Sequence, residues 1–130
     1  EALRHKPSDT QIEVNLGIVF DKLGHADEAE RCFARAMESG ERSGFAYNAL
    51  GCHHARLSRF DEAFACFAKA VEIEENPLYY QNLGLACERM HLYDKAAEVY
   101  EKMALIDGQG ASFARERLAW LRSAGAASAR

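Results

Sequence analysis

The sequence predicts an all-α fold built from repeated pairs of antiparallel helices. Three observations predict it: a composition rich in helix formers, a self-similar pattern that recurs after 34 and then 33 residues, and apolar stripes at helical spacing inside each unit. The 130 residues suffice for one compact domain or a short repeat array, and a hydrophobic content of 48% can supply a core. Only two prolines occur, and Val, Ile and Thr are sparse beside Ala, Leu, Glu, Arg and Lys, which favours helix over sheet.

Three segments align: NLGIVFDKLGHADEAERCFARAM from Asn15, ALGCHHARLSRFDEAFACFAKAV from Ala49 and NLGLACERMHLYDKAAEVYEKMA from Asn82. Each carries Leu-Gly, at Leu16-Gly17, Leu50-Gly51 and Leu83-Gly84. Each then carries an alanine (Ala29, Ala63, Ala96), an aromatic (Phe33, Phe67, Tyr100) and a further inner residue (Ala36, Ala70, Met103). The one-residue difference in spacing falls in EIEENP, before the third unit. Length changes collect in loops, so this stretch reads as a connection.

Each unit contains two amphipathic helices. Leu16, Gly17 and Phe20 share one side of the first helix, as do Leu83, Gly84 and Cys87 in the third unit. The second helix is expected to open on a capping aspartate, Asp27, Asp61 or Asp94, with Asp27 and Glu30 at capping-box spacing. Ala29, Phe33 and Ala36 form its inner stripe, as do Ala63, Phe67 and Ala70. A glycine inside a helix costs roughly 1 kcal/mol relative to alanine, so its threefold recurrence needs an offset. The expected offset is close approach of the two helices, with Gly17, Gly51 and Gly84 facing Ala29, Ala63 and Ala96, and the aromatics filling the interface one turn on.

A period near 34 with Leu-Gly, a later Ala, an aromatic and another Ala resembles the tetratricopeptide repeat (TPR). In those terms the units run 10–43, 44–76 and 77–110. The resemblance implies a right-handed α-α superhelix, a TPR solenoid of antiparallel helix pairs. Three departures stand out: no Trp at the fourth position, His54 in place of the usual aromatic at the eleventh, and no Pro at its usual place in the three units. Residues 1–9 match the end of a preceding repeat and its loop, with Ala2 and Pro7 in register, so the natural protein is expected to continue upstream. Residues 111–124 read as a capping helix, with Ala114, Leu118 and Leu121 on one stripe flanked by Phe113 and Trp120. Arg115, Glu116, Arg117 and Arg122 are expected to face away, and 125–130 to form a flexible tail. Seven or eight helices result, the first of them a stub.

A net charge of −4 and the lack of a strongly basic stretch argue against nucleic acid as a partner. No apolar run reaches the roughly 20 residues needed to span a bilayer. Cys32, Cys52, Cys66 and Cys87 form no CxxC pair and read as reduced, buried thiols of a cytoplasmic protein. Cys52-His53-His54, with Cys87 and His91, invites comparison with a metal site. Neighbours on a helix point about 100° apart, however, so structural cysteines and surface histidines explain them. No nucleophile elbow, phosphate-binding glycine loop or paired-carboxylate constellation occurs. The chain therefore reads as a non-enzyme with no cofactor and no metal.

The resemblance implies a concave groove lined by the first helices at positions 2, 5, 9, 12 and 13 of each unit. Those are Gln11, Val14, Ile18, Asp21 and Lys22; Phe45, Asn48, Cys52, Ala55 and Arg56; and Leu78, Gln81, Leu85, Glu88 and Arg89. Val14, Ile18, Phe45, Leu78 and Leu85 would offer apolar contact, Asn48 and Gln81 would bond a peptide backbone, and Arg56 and Arg89 would take a carboxylate. The alternative is that these residues solvate a groove whose partner binds elsewhere. The carboxylate clamp of chaperone-binding members is absent, since its positions carry Val14, Ile18, Leu78 and Asn82. The expected function is a protein–protein interaction module, an adaptor or assembly scaffold that binds a protein or peptide. Alternatives are a regulatory segment of a larger enzyme and a secretion-type chaperone. Self-association through an apolar N-terminal face is a further expectation.

Overall fold

The computed structural model of the chain describes residues 9–106 and 111–128, with side chains through residue 123. Seven helices lie among them: α1 Asp9–Lys22, α2 Ala26–Glu38, α3 Gly44–Arg56, α4 Phe60–Ile73, α5 Pro77–Arg89, α6 Tyr93–Ile106 and α7 Ala111–Ser128. No strand occurs among the described residues. The most extensive contacts join α1 to α2, α3 to α4, and α5 to α6, so the chain folds as consecutive helix pairs. Each pair leans on the next: α2 packs on α3, α4 on α5 and α6 on α7, while α1, α3 and α5 touch in sequence. The expected stub helix falls in residues 1–8, outside the described residues. α7 runs through Ser128, into the stretch expected to form the tail, and residues 129–130 lie outside the described residues.

The turn inside each pair is the same device three times. The N–H of His25 donates to the carbonyl of Phe20 at 2.8 Å, that of Arg59 to His54 at 2.9 Å, and that of Leu92 to Cys87 at 2.8 Å. This is the six-to-one bond of a Schellman motif. Its left-handed residue is Gly24 in the first pair, but Ser58 and His91, each at φ 60°, in the others. The chain then enters the second helix at once: the N–H groups of Ala29, Ala63 and Ala96 bond the carbonyls of His25, Arg59 and Leu92. The aspartates therefore do not cap. His25 and Arg59 stand at the cap positions with no side-chain cap bond, and Asp27, Asp61 and Asp94 lie within the first turn. There their charge favours the positive end of the helix dipole. Side-chain caps serve the first helices instead. Ser43 accepts from the N–H of Ala46 at 3.1 Å, and Asn76 accepts from that of Leu78 at 2.9 Å, just before Pro77 at the helix start.

The glycines meet rings rather than alanines. A Cβ on Gly17 would lie 2.8 Å from Cε1 of Phe33, and one on Gly51 would lie 2.5 Å from Cε1 of Phe67. Gly84 stands in the same relation to Tyr100. The aromatic of the second helix thus lies directly on the bare backbone of the first. Ala29, Ala63 and Ala96 are fully buried nearby and let the two helices close.

Two apolar clusters result. One gathers Val14, Ala29, Phe33, Ala36, Ala46 and Ala49 between the first pair and α3. The larger one runs from Ala63 and Phe67 through α5 and α6 to Ala114, Leu118 and Leu121 of α7. Phe113 meets Tyr100 edge-on, and Trp120 meets Tyr93 in the same way. Arg117 does not face away as expected. It donates to the Glu88 carboxylate through both Nε and Nη2, and its guanidinium lies 4.6 Å from the Trp120 ring centroid. At the other end of the array Ile12, Leu16 and Val19 of α1 and Leu23 just after it remain exposed.

Placing a methyl group between Gly51 and the Phe67 ring should cost more in overpacking than alanine returns in helix propensity. Gly51→Ala is expected to lower stability by about 1–3 kcal/mol, read as a fall in the urea midpoint. An unchanged or raised midpoint would show that the ring is free to move aside. Ser58→Gly relieves the left-handed backbone and is expected to raise stability by roughly 0.5–1 kcal/mol in the same assay.

Candidate peptide-binding groove

Because α1, α3 and α5 stand next to one another, one face of each shares a common surface. Between α3 and α5 this surface opens into a cleft of about 480 Å³. Its lining comprises Cys52, Ala55 and Arg56 of α3, Ser58 of the turn, Phe60 and Phe67 of α4, and Asn82, Leu85, Ala86 and Arg89 of α5. The floor is apolar, while the arginines at its edge are exposed.

Of the residues expected from sequence, Cys52, Arg56, Leu85 and Arg89 come together in this cleft, with Ala55 beside them. Gln11, Val14 and Phe45 border a second, smaller hollow between the starts of α1 and α3, shared with Thr10, Glu41 and Ser43. Leu78 is exposed at the start of α5, and Lys22 is exposed at the end of α1. Gln81 is half-buried, and Ile18 packs against the N-terminal cluster. Val14, expected to offer apolar contact, is 0% exposed at the bottom of that hollow and packs into the N-terminal core. The i, i+3, i+7 rule put Val14 on the groove face, but α3 closes over that part of α1 and takes it out of solvent.

The polar side chains along this surface are largely paired with one another. Asn82 donates through Nδ2 to Oδ1 of Asn48 at 2.8 Å, an amide bridge between neighbouring first helices. That carbonyl is therefore engaged within the protein, and the remaining hydrogen-bonding capacity of Asn48 is its amide N–H groups. Asp21 accepts from Nδ1 of His53 at 2.8 Å, and His53 is completely buried. The surface reading of that histidine is thus overturned; α1 and α2 cover it. Glu88 accepts from the Tyr100 hydroxyl at 2.6 Å and from Arg117. Burial, then the Glu88 carboxylate, pushes the Tyr100 phenol far up, so it stays a donor. Arg89 lies 5.7 Å from the Phe60 ring centroid, a cation–π contact that holds it at the edge of the cleft.

Sequence reasoning missed Phe60, Phe67, Ser58 and Asn82. Phe60 and Phe67 belong to the second helix, which a rule built on first helices does not consider. A signal for Asn82 was present: it stands just before Leu83-Gly84, one period after Ala49, within reach of an amide on the previous helix.

All four cysteines are free thiols. Burial pushes Cys66 and Cys87 up to about 11 and also raises Cys32 and Cys52, so none is a ready nucleophile. Among the described residues no group of three or more His, Cys, Asp or Glu side chains could hold a metal ion. No helix among them is long and apolar enough to cross a membrane.

Two family models, each described as the tetratricopeptide repeat, match residues 44–77 and 78–109. A sequence search of curated proteins finds no match. The structure is similar to the first TPR of Spaghetti (RPAP3) bound to the HSP90 peptide SRMEEVD, with 20% identity and a TM-score of 0.79 over 91% of this chain and 96% of that one. It is similar to MamA, with 22% identity and a TM-score of 0.82 over 93% of this chain and 71% of that one. It also resembles the second TPR domain of human RPAP3 in complex with the HSP70 peptide SGPTIEEVD, with 16% identity and a TM-score of 0.77 over 88% and 95% of the two chains. At these identities the likeness is one of fold.

The packing of α3 carries a pH dependence. His54, beside His53, has a buried Nδ1 with no hydrogen-bond partner. Burial, and next the neighbouring His53, lower its pKa from the usual 6.5. The unfolded chain therefore takes up a proton at His54 more readily than the folded one. This group leaves stability intact above about pH 6.5 and removes it as pH falls below that value toward its lower folded pKa. His54→Phe supplies an aromatic and deletes the titration. The loss of melting temperature between pH 7.5 and pH 5.5 is expected to shrink in the variant; an equal or larger loss would count against this account.

Proposed function

Because the chain belongs to the tetratricopeptide-repeat family, we propose that it is a protein–protein interaction module, an adaptor or assembly scaffold, that receives a peptide or protein segment along α1, α3 and α5. One observation carries this reading: the cleft between α3 and α5 combines an apolar floor with two exposed cations and the Asn82 amide. An apolar recess with a few directed polar groups is the composition that binding sites use. Leu85, 37% exposed at the cleft, offers the anchor contact. Asn48, through its remaining N–H groups, and half-buried Gln81 provide bonds for an extended main chain. The peptides held by the two RPAP3 domains support a peptide as the class of ligand. The reading assigns binding and no catalysis. Four free thiols with raised pKa fit a reducing, cytoplasmic setting.

Selection of phage-displayed peptides against the chain tests this directly. Selected peptides are expected to slow hydrogen exchange in α3 and α5. Combining Gln81→Ala with Leu85→Ser should weaken them by about tenfold or more while the melting temperature stays near that of the parent. Affinity that survives both substitutions would move the binding face away from this groove.

A further inference from the structure

Each first helix ends on a cation in the same register: Lys22, Arg56 and Arg89, separated by 34 and 33 residues. All three are exposed. The ion pairs found among the described residues use other cations, namely Arg35, Arg59, Lys69, Arg117 and two histidines. The carboxylates immediately before Lys22 and Arg89 are turned inward. Asp21 is bonded to buried His53, and Glu88 to Tyr100 and Arg117. In the middle repeat the preceding residue is Ala55, which carries no charge. Acidic side chains gather instead in the first turns of the second helices, at Asp27 and Glu28, Asp61 and Glu62, and Asp94. In a protein of net charge −4, Lys22, Arg56 and Arg89 thus form a row of cations with no ion pair among the described residues.

Favourable placement at the negative ends of three helices explains why cations stand there. It does not explain why two of them line the cleft together with apolar Ala55 and Leu85, nor why Arg89 is held over the Phe60 ring. Uncompensated charge at the edge of an apolar recess selects a partner of opposite charge. The positions that hold a terminal carboxylate in chaperone-binding relatives carry Val14, Ile18, Leu78 and Asn82, none of them cationic.

Resting on the groove reading above, we propose that the partner is an acidic segment recognised through internal side-chain carboxylates. Arg56 and Arg89 receive a Glu or Asp side chain, and an adjacent apolar side chain enters the floor beside Leu85. Lys22 meets a further carboxylate one repeat away. A free C-terminus is not required.

The test uses the whole chain, labelled with ¹⁵N, titrated with two C-terminally amidated peptides, Ser-Leu-Glu-Ser-Leu-Glu-Ser and its Gln counterpart, and with the free-acid form of the first. The Glu peptide is expected to shift the amides of Cys52, Ala55, Arg56, Leu85 and Arg89. It should bind about tenfold more tightly than the Gln peptide and lose that margin as salt is raised. The amidated and free-acid forms should bind alike. R56Q combined with R89Q should bring the Glu peptide down to the level of the Gln peptide, whereas R56K with R89K should keep most of the preference. Equal binding of the Glu and Gln peptides in the cleft overturns the acidic partner and leaves the groove reading standing. A preference that survives R56Q with R89Q, or that needs the free C-terminus, also overturns it. Binding of neither peptide at millimolar concentration, or shifts confined to other surfaces, overturns the groove reading as well.

Discussion

In every repeat the ring of the second helix rests on a glycine of the first. Phe33 on Gly17, Phe67 on Gly51 and Tyr100 on Gly84 set how close the two helices come. A side chain at the glycine would push the ring outward, and the pair would splay. The contact fixes more than one distance. With each pair closed, Ala29, Ala63 and Ala96 are buried, and the second helix packs against the next pair. The array is a chain of such decisions, each depending on the one before.

That closure also accounts for the polar side chains of the groove. Once α1, α3 and α5 are held side by side, Asp21 comes within reach of His53, and Asn48 within reach of Asn82. Glu88 is engaged by Tyr100 of α6 and Arg117 of α7. Groups that look available along a single helix are thereby spent between helices. The terminal cations and the apolar floor of the cleft are left facing solvent. Coverage by α7 is part of the same arrangement, because Arg117 both shields the last pair and neutralises Glu88.

Much of the architecture was legible because periodicity is a property of sequence. The register of Leu-Gly, alanine and aromatic located three helix pairs, and the one-residue difference pointed to EIEENP, of which only Glu74, Glu75 and Asn76 lie between α4 and α5, while Glu72 and Ile73 end α4 and Pro77 opens α5. The capping aspartates misled, since a Schellman turn delivers the chain into the second helix before the aspartate is reached. The groove was legible only in part. Cys52, Arg56, Leu85 and Arg89 were found by counting along first helices, whereas Phe60 and Phe67 arrive from α4. Val14 obeyed the counting rule and was still buried, because helical spacing gives a direction and not what lies in that direction.

The repeated leucine states the division most plainly. Leu16, Leu50 and Leu83 hold one position of the pattern, and sequence alone determined that each sits on a first helix beside a glycine. Their exposure differs: Leu16 is 43% exposed, Leu50 is half-buried and Leu83 is 6% exposed. Local order along the chain specifies helices, turns and their period, because those depend on neighbours a few residues away. Burial, the pairing of His53 with Asp21, and the recess between Arg56 and Arg89 depend on which helix lies across from each residue. Only the packed array decides that.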